Sequence, residues 1–376
     1  MTKIYLIRHA EAEGNFYRRA QGHYDAPLTD RGLKQAAALG ERFREIPLDA
    51  VYASDLRRAR RTAQAVADVR GLTVQTEPDL REMGLGIWED LPWGNLMEDY
   101  AEQYELFSTD TELWEIEGAE TNAAVRERMM AALKRLAERH EGQTIAAVSH
   151  GMALRGLFSV LPDHTGETKV PVHSENTAVS VVHAEDGELR LVSHNDFEHL
   201  PPELRTVTWQ TWWRDPGGRD LSSLIFRPLD LRKDGQLYMD CYADAWRFAH
   251  GSLQGFDAEV YLKDAQRRTA PETLMAAYSG DTFAGIINLE EDQPLAEGAG
   301  WISFCYVVPE LRRKHFGLQL IGHAISWFRR QGKTALRLCV SEDNTAAQRF
   351  YKACGFHETG RRKGVVVPLI IMEKEL

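Results

Sequence analysis

The sequence predicts a protein of two domains, the first of the α/β class, and three observations lead to this expectation. In the first half of the chain, short runs rich in β-branched residues alternate with amphipathic helical patterns, as in an open α/β sheet. The length of 376 residues fits two domains more readily than one. Residues 201–220 begin with two prolines and carry Pro-Gly-Gly near their end, which is typical of a domain boundary.

The composition argues against several classes of partner. The net charge is −11 and the isoelectric point is about 5.7, so neither a nucleic-acid surface nor a polybasic membrane face is expected. No apolar run approaches the ~18 residues of a membrane-spanning helix. Charge interrupts the first apolar run at once, unlike a signal peptide. The four cysteines lack Cys-x-x-Cys spacing, which favours reduced thiols in a cytoplasmic protein over zinc sites or disulfides.

The first predicted strand leads directly into two chemically active side chains. Lys3–Ile7 is typical of a buried strand, and Arg8 and His9 follow at its end, where an open α/β sheet places its chemistry. A neutral histidine can attack phosphorus, and an arginine can hold a phosphate through two parallel hydrogen bonds. Taken alone, such a pair is more often a surface salt-bridge pair.

The next segments continue the alternation of strands and helices. Thr29 is a predicted N-cap for a helix through Arg44, and residues 49–54 form the next predicted strand. The helix that follows, Leu56–Val69, begins with four arginines: Arg57, Arg58, Arg60 and Arg61. Because the helix macrodipole disfavours cations at a helix start, either a bound phosphate compensates them or they form a solvated basic face.

Two further side chains stand after predicted strands. Leu72–Thr76 is a strand that precedes Glu82, and Thr144–Ser149 is another, which delivers His150 at its end. A carboxyl group in a phosphate pocket lies near anionic charge, which favours its protonated form and lets it donate a proton near neutrality. Outside a pocket, the glutamate would be a surface residue and the histidine a structural one.

Five segments of this half resemble the signature of the histidine phosphatase (phosphoglycerate mutase-like) superfamily, over about residues 1–200. The matching residues are Arg8, His9, Glu11 and Asn15; Gln21, Gly22, Asp25, Pro27, Leu28, Thr29 and Gly32; Arg58; Glu82; and His150. All five segments occur in the family's order. Ala10 and Ala12 depart from the Gly and Thr of the pattern, so a hydroxyl contact from position 12 is lost.

The resemblance implies a three-layer α/β/α fold and a metal-independent reaction through a phosphohistidine. His9 is implied as the nucleophile, and Glu82 as the group that protonates the leaving oxygen and then deprotonates water. The implied phosphate ligands are Arg8, Arg58 and His150, with further hydrogen bonds from Asn15 and Gln21. Because the arginines and histidine neutralise the phosphoryl oxygens, the resemblance implies no metal.

The segment Met83–Glu120 is unusual for such a domain. It is rich in aromatic and acidic residues and contains no Lys or Arg. The resemblance implies a lid over the active site, and this lid would repel a bisphosphate and accept an apolar or cationic leaving group. The alternative is a solvated helical insertion that never touches substrate. An acidic lid favours a phosphatase over a phosphoglycerate mutase, because a mutase must hold a bisphosphate.

The second half of the chain follows a different pattern. Leu274–Tyr278 and Ala284–Leu289 form a predicted hairpin, and Gly300–Val308 is a predicted strand. A basic loop follows, and Leu318 begins an amphipathic helix. Backbone N–H groups in such a loop and at such a helix start can cradle a pyrophosphate.

This half resembles the GCN5-related N-acetyltransferase (GNAT) superfamily over about residues 222–376. Arg312 and Gly317 match its motif A, but His315 stands where the first glycine belongs. The stretch DNTAAQRFYKACGF matches the last motif at six positions: Asn344, Ala347, Phe350, Tyr351, Gly355 and Phe356. The resemblance implies an α+β domain with a mixed sheet that uses acetyl-CoA as co-substrate.

The resemblance also implies roles for individual residues. Tyr351 is implied as the acid that protonates the departing coenzyme A thiolate. The implied cofactor-binding residues are Val307, Val308, Arg312, Arg313, Lys314, Gly317 and Asn344. Three acidic residues at a strand end are candidates for the base that activates an acceptor amine: Glu290, Glu291 and Asp292. Because a side chain at 315 can crowd the phosphates, a coenzyme A-binding sensor without catalysis is an alternative.

The sequence therefore predicts a cytoplasmic bifunctional enzyme. Residues 1–205 form the predicted phosphatase domain, 206–221 the linker, and 222–376 the acetyltransferase domain. Three linker tryptophans are expected to pack the domains together: Trp209, Trp212 and Trp213. The predicted partners are a small phosphomonoester and a small amine, with neither nucleic acid nor membrane, and the residues specify neither the natural substrates nor the oligomeric state.

Overall fold

The structure is a computed structural model, and it divides the chain into two compact units. The described residues are 1–163, 173–206, 220–270, 272–291 and 298–376. The first unit comprises Met1–Leu91 and Asp99–Gly218, and the second comprises Pro92–Glu98 and Arg219–Leu376. The predicted linker tryptophans Trp209, Trp212 and Trp213 lie outside the described residues. No feature of the sequence indicates that Pro92–Glu98 groups with the second half.

A six-stranded mixed sheet forms the centre of the first unit. Its strands are β1 (Thr2–Arg8), β2 (Ala50–Ala53), β3 (Val74–Thr76), β4 (Thr144–Ser149), β5 (Val179–Glu185) and β6 (Glu188–Asp196). Their order is β3-β2-β4-β1-β5-β6; β5 runs antiparallel to β1, and β6 runs antiparallel to β5 and so in the direction of the other four strands. The apolar residues of β1 and β4 are buried on both faces, as expected for a central parallel pair.

Helices cover both faces of this sheet. The described α-helices of this unit are α1 (Glu13–Tyr17), α2 (Asp30–Phe43), α3 (Arg57–Arg70), α5 (Ala101–Thr109), α6 (Asn122–Arg139) and α7 (Gly151–Phe158), whereas α4 (Trp93–Asp99) lies, except for Asp99, in the second unit. The pair α2 and α3 packs together over one part of the sheet, and α6 and α7 pack together beside β1. This is the predicted three-layer α/β/α arrangement. The predicted N-cap of α2 is also present, since the Thr29 hydroxyl accepts the Gly32 N–H at 3.0 Å.

The strand register brings the two predicted histidines to one edge of the sheet. β1 and β4 are parallel neighbours, and Arg8 pairs with Ser149 in their register. The next residue of each strand is therefore a histidine at the carboxyl end of the sheet. The α3 helix follows β2 at the same edge and carries Arg58 in its first turn. Chemistry at this edge is the usual outcome in open α/β sheets.

The acidic segment after Glu82 folds around its own aromatic residues. Trp88 and Trp114 are fully buried, with ring centroids 5.3 Å apart. Phe107 packs against both, at 5.7 and 5.1 Å, and Tyr100 lies 5.8 Å from Trp88. The two indoles therefore form a local core rather than a surface that could receive an apolar leaving group.

The second unit contains a seven-stranded mixed sheet. Its strands are β7 (Leu224–Pro228), β8 (Leu274–Ser279), β9 (Thr282–Glu290), β10 (Gly300–Val307), β11 (Ala335–Ser341), β12 (His357–Arg362) and β13 (Leu369–Glu375). Their order is β12-β13-β11-β10-β9-β8-β7. The helices are α8 (Gly235–His250), α9 (Ala258–Arg268), α10 (Phe316–Arg330) and α11 (Thr345–Ala353). The predicted hairpin is β8–β9, and Gly280 supplies the positive φ of its turn.

The sheet opens between its two central parallel strands. β10 pairs with β11 only from Gly300 to Ile302, opposite Leu336–Leu338, although both strands continue further. An irregularity in the β9–β10 pairing follows directly, between Ile302 and Phe304. The strands thus separate toward their carboxyl ends and leave a cleft in the sheet. No helix in the described part of the chain is long and apolar enough to cross a membrane.

The edge strand β7 is covered by the short segment that the first half contributes to this unit. The Asn95 side chain accepts the Phe226 N–H at 2.9 Å and donates to the Phe226 carbonyl oxygen at 3.0 Å. Arg227 pairs with Glu98 through two hydrogen bonds, at 2.9 and 2.6 Å. The amide therefore replaces a neighbouring strand and satisfies backbone groups that an open edge would expose.

Candidate active sites

The two predicted histidines lie side by side in the first unit. His9 and His150 are 3% and 0% exposed, and their ring centroids are 5.0 Å apart. The Nδ1 atom of His9 lies 2.7 Å from the Ala10 carbonyl oxygen. A carbonyl oxygen only accepts hydrogen bonds, so Nδ1 carries the proton and Nε2 keeps its lone pair. His9 thus presents a nucleophilic nitrogen.

The second histidine has the opposite arrangement of its ring nitrogens. The Nε of Arg58 donates to Nδ1 of His150 at 3.2 Å, so the proton of a neutral ring sits on Nε2. That nitrogen is buried and has no hydrogen-bond partner among the described residues. Buried donors are rarely left unpaired, so this N–H is suited to donate to a bound ligand.

Electrostatics favour the neutral form of both rings. Burial lowers the pKa of His9 well below its usual value, and the positive charges of Arg58 and Arg8 lower it further. Burial also lowers the pKa of His150 well below its usual value, with Arg58 the next cause. The site therefore combines a neutral nucleophile with a neutral hydrogen-bond donor.

Two arginines flank this pair. Arg58 is fully buried, and it donates to the Gly22 carbonyl oxygen at 2.7 Å and to the Tyr24 carbonyl oxygen at 2.9 Å. Burial lowers the pKa of Arg58 to about 10, so it remains charged at neutral pH. Arg8 donates to the Ser174 carbonyl oxygen, while its Nε has no partner in the described part of the chain. Guanidinium groups placed in this way are suited to donate hydrogen bonds to an anion.

Of the four arginines at the start of α3, only Arg58 turns inward. Arg57, Arg60 and Arg61 are exposed. Helical geometry accounts for this difference, because Arg58 shares its face with Thr62, which is also fully buried. The expectation of one functional arginine beside a solvated basic face agrees with this burial.

The Glu82 carboxylate lies against the first turn of α7, the helix that directly follows His150. Its carboxylate accepts the N–H groups of Met83, Met152 and Ala153 at 3.0, 3.1 and 2.8 Å. The last two are orphan donors of the first turn of α7. The helix start thus fixes the position of this carboxyl group at the pocket.

The two predicted hydrogen-bonding residues differ in their surroundings. The Asn15 side-chain oxygen accepts the Ala12 N–H at 3.1 Å and closes the first turn of α1. Both polar atoms of the Gln21 amide are buried and lack partners among the residues that the structure describes. A Cβ at Gly14 would lie 2.4 Å from Gln21 Cδ, so only glycine leaves room for this amide. Gln21 is therefore available to a ligand.

Three contacts to the site come from residues that sequence reasoning did not select. The Asn176 amide donates to the His9 carbonyl oxygen at 2.9 Å, and Thr62 accepts the Ala10 N–H at 2.9 Å. The Ser174 carbonyl oxygen holds Arg8. Asn176 and Thr62 bind backbone atoms of His9 and Ala10, and Ser174 contributes its own backbone carbonyl. A pattern of side chains in the sequence therefore does not reveal these contacts.

The predicted cofactor loop in the second unit lies at the start of α10. Arg313 and His315 both adopt a left-handed backbone conformation, with φ of 65°. His315 is therefore in a conformation that glycine adopts at lower cost, and its side chain is exposed. Arg313 and Lys314 are exposed as well. Gly317 lies against Phe350 of α11, since a Cβ there would be 3.0 Å from the ring.

Several of the predicted cofactor contacts already have partners within the unit. Arg312 donates to Asp244 at 2.7 Å and to the Val307 carbonyl oxygen at 2.9 Å. The Val308 N–H donates to the Ala284 carbonyl oxygen at 3.0 Å. The Asn344 side chain caps α11 by accepting an N–H at 3.1 Å. The roles of these residues toward a cofactor stay predictions.

The predicted acid of this unit and one of its three base candidates are buried. Tyr351 is buried on α11, and burial raises the pKa of its phenol well above the usual value, with the neighbouring Cys305 as the next cause. The phenol therefore keeps its proton. Glu290 is buried at the end of β9, 3.6 Å from Arg268, and Glu291 is exposed. Asp292 lies outside the described residues.

The first unit is thus an α/β/α domain whose sheet edge brings two buried histidines together with the buried Arg58 and the partly buried Arg8. Residues 4–197 match the model of the histidine phosphatase superfamily (branch 1), and residues 236–356 match that of the acetyltransferase (GNAT) family. The chain therefore belongs to the histidine phosphatase superfamily, and its second half carries a GNAT-family domain.

Individual relatives match the first half of the chain. A protein of Yersinia pestis described as "Probable phosphoglycerate mutase GpmB" is 37% identical over 175 residues, which cover 46% of this chain and 79% of the relative. The protein of the same description from Yersinia pseudotuberculosis has the same identity and coverage. Among solved structures, Bacillus stearothermophilus YhfR matches with a TM-score of 0.50 and 29% identity, over 53% of this chain and 99% of that chain.

Proposed function

We propose that the first unit hydrolyses phosphomonoesters through a phosphohistidine on His9. The observation that carries this proposal is the complementary hydrogen bonding of two buried histidines, His9 through Nδ1 to a carbonyl oxygen and His150 through Nδ1 to Arg58. His9 offers Nε2 as nucleophile while the Nε2–H of His150 is free to donate to a phosphoryl oxygen. Arg8 and Arg58 supply the positive charge that the transferring group needs.

The proposed reaction has two steps. In the first, Nε2 of His9 attacks phosphorus, the ester P–O bond breaks, and the alcohol leaves with a proton from Glu82. In the second, a water oxygen attacks phosphorus, Glu82 takes the water proton, and the P–N bond breaks to release inorganic phosphate. Gln21 is proposed to hydrogen-bond the phosphate or the ester oxygen, and Asn15 to assist from α1.

A phosphoglycerate mutase is the second candidate, since the relatives from Yersinia carry that description. The acidic segment 83–120 supports the hydrolase, because it contains no Lys or Arg to hold a second phosphate. Phosphate release should be compared with 3- and 2-phosphoglycerate interconversion, for wild type and His9→Ala, in the presence of chelator. Phosphate release that needs His9 supports the proposal. Interconversion without net phosphate release would replace it with the mutase.

For the second unit we propose transfer of an acetyl group from acetyl-CoA to a small amine. Acetyl-CoA supplies the activated thioester, and the cleft between β10 and β11 and the backbone N–H groups at the start of α10 fit such a ligand. Arg313, Lys314 and Gly317 would face its phosphates, while Val307, Val308, Arg312 and Asn344 would line its path. Tyr351 is proposed to supply a proton to the leaving thiolate, because its buried phenol stays protonated.

The acetyltransferase proposal can be separated from the sensor alternative by one pair of measurements. Acetyl-CoA affinity is measured by calorimetry, and thiol release is followed with a panel of amines. Amine-dependent thiol release supports the enzyme. Binding of acetyl-CoA without thiol release for any amine would favour a regulatory domain. The observation that favours this alternative is His315, a residue with a side chain in a backbone conformation that glycine adopts at lower cost.

A further inference from the structure

Glu89 has an unusual set of hydrogen bonds for a glutamate that no motif selects. Its Oε2 accepts the N–H groups of Gly22 at 3.0 Å and Tyr24 at 2.8 Å. Its Oε1 accepts those of His23 at 2.7 Å and Leu85 at 3.0 Å. Four donors use the full accepting capacity of one carboxylate. Three of the four donors are consecutive residues of one loop, so a single side chain fixes the path of that loop.

The same loop binds Arg58, the proposed phosphate ligand, through its carbonyl oxygens. The carbonyl oxygens of Gly22 and Tyr24 accept from Arg58, at 2.7 and 2.9 Å. Arg58 then contacts His150 through Nε. Glu89 is therefore linked to Arg58 through two residues of the loop, Gly22 and Tyr24, because it binds the N–H groups of the residues whose carbonyl oxygens bind the guanidinium.

Glu89 is the described side chain that accepts the N–H groups of all three loop residues, while the His23 ring separately contacts the Glu82 carbonyl oxygen at 3.0 Å. Arg58 forms no ion pair with a carboxylate within 4 Å in the described part of the chain, so carbonyl oxygens and one histidine nitrogen set its orientation. The loop also packs tightly against this carboxylate, since a Cβ at Gly22 would lie 2.4 Å from Glu89 Oε1. Glu89 is in addition among the negative charges that favour the charged form of Arg58. Without this carboxylate, the three loop N–H groups would lose their common partner. The two carbonyl oxygens that bind Arg58 would then no longer be held in a fixed position.

We propose that Glu89 is a positioning residue that sets Arg58 for phosphate binding through the loop Gly22–Tyr24. The proposal rests on the proposed phosphate site, because it assigns Arg58 to the phosphate. Glu89 has no hydrogen bond to His9 or His150 among the described contacts, so it is not assigned a catalytic role. Misplacing a catalytic group by about 1 Å can cost on the order of 100-fold in rate, so the effect on function can be large.

A double-mutant cycle between Glu89→Gln and Arg58→Ala tests this coupling. The dissociation constant of inorganic phosphate is measured by calorimetry for wild type, both single variants and the double variant. Binding needs no turnover, so the result does not depend on hydrolysis. The kcat/KM for 4-nitrophenyl phosphate is measured on the same four proteins. Glu117→Gln is the matched control, because Glu117 is an exposed glutamate in the same segment and its loss removes the same charge.

If Glu89 acts through Arg58, Glu89→Gln weakens phosphate binding and lowers kcat/KM about 10- to 100-fold in the wild-type background. In the Arg58→Ala background the further loss stays below about twofold. An equal loss in both backgrounds, or no loss in either, overturns the proposal. A protein that binds phosphate without hydrolysing it would contradict the proposed phosphatase but leave this coupling measurable. If Glu89→Gln does not fold, Glu89→Asp takes its place, and failure of both variants to fold overturns the proposal by making Glu89 a folding residue.

Discussion

Removing the charge of Arg58 should move the acid limb of the pH–rate profile. The proposed nucleophile is neutral His9, whose pKa is held well below its usual value by burial first and by Arg58 and Arg8 next. Activity is therefore lost as the pH falls through the His9 pKa. The Arg58→Gln change removes one cause of the lowering, so the His9 pKa rises and the acid limb moves to higher pH.

The size of the effect follows from Coulomb's law. Arg58 contacts His150 at 3.2 Å, and the His150 and His9 rings are 5.0 Å apart. For charges about 5–8 Å apart, an effective dielectric constant of about 20 gives roughly 2–3 kcal/mol. This corresponds to a rise of about two pH units in the acid limb. The maximal rate should fall as well, by about 100- to 1,000-fold, because transition-state charge loses a fixed cation.

The assay is kcat/KM for 4-nitrophenyl phosphate between pH 4 and 9 at constant ionic strength. The ester's own ionisation affects all proteins equally, so the difference between profiles isolates the enzyme. Arg57→Gln is the matched control, since this neighbouring arginine is exposed and its loss removes the same charge. An acid limb that stays in place or moves to lower pH in Arg58→Gln refutes the electrostatic reasoning. An equal movement in Arg57→Gln refutes its assignment to Arg58.

Three further outcomes follow from the same structure. Glu82→Gln should lower kcat for alkyl phosphates at least 100-fold and much less for 4-nitrophenyl phosphate, whose leaving group needs no proton; equal losses would remove Glu82 as the acid. Tyr351→Phe should lower the rate of thiol release about 100-fold while acetyl-CoA affinity stays within twofold by calorimetry, and an unchanged rate would contradict the proposed acid. Asn95→Ala should cost about 1–3 kcal/mol in urea unfolding, because it leaves the Phe226 N–H and carbonyl oxygen without their partner; a cost below about 0.5 kcal/mol would show that the edge strand does not need the amide.

Local patterns were sufficient for much of the fold and for the centre of the first site. The β-branched runs of β1 and β4, each followed by a histidine, predict both strands and the edge at which they end. The Thr29 cap sets the start of α2. Membership of the two families was also predicted, because each resemblance rests on several side chains in a fixed order.

The remaining features depend on groups that leave no trace in a side-chain pattern. Glu89 binds backbone N–H groups, and Asn95 binds the backbone of Phe226, so almost any residues could stand at the other end of these contacts. The grouping of Pro92–Glu98 with the second unit follows from such contacts. The resemblance implied that segment 83–120 is a lid, and its composition suggested that this lid accepts an apolar or cationic leaving group, with a solvated insertion as the alternative; Trp88 and Trp114 are instead buried against one another. Composition cannot distinguish a small local core from a binding surface, because both require aromatic residues.

The central claim is that His9 carries the phosphoryl group on Nε2, because Nδ1 donates to the Ala10 carbonyl oxygen. The most direct test is to quench the enzyme during turnover of a phosphomonoester, in chelator and at alkaline pH, and to locate the phosphate by ³¹P NMR and peptide mass spectrometry. The account predicts a phosphoenzyme modified at His9 Nε2 that is absent from His9→Ala. A phosphate on Nδ1 or on another residue, or turnover in His9→Ala at the wild-type rate, would contradict it.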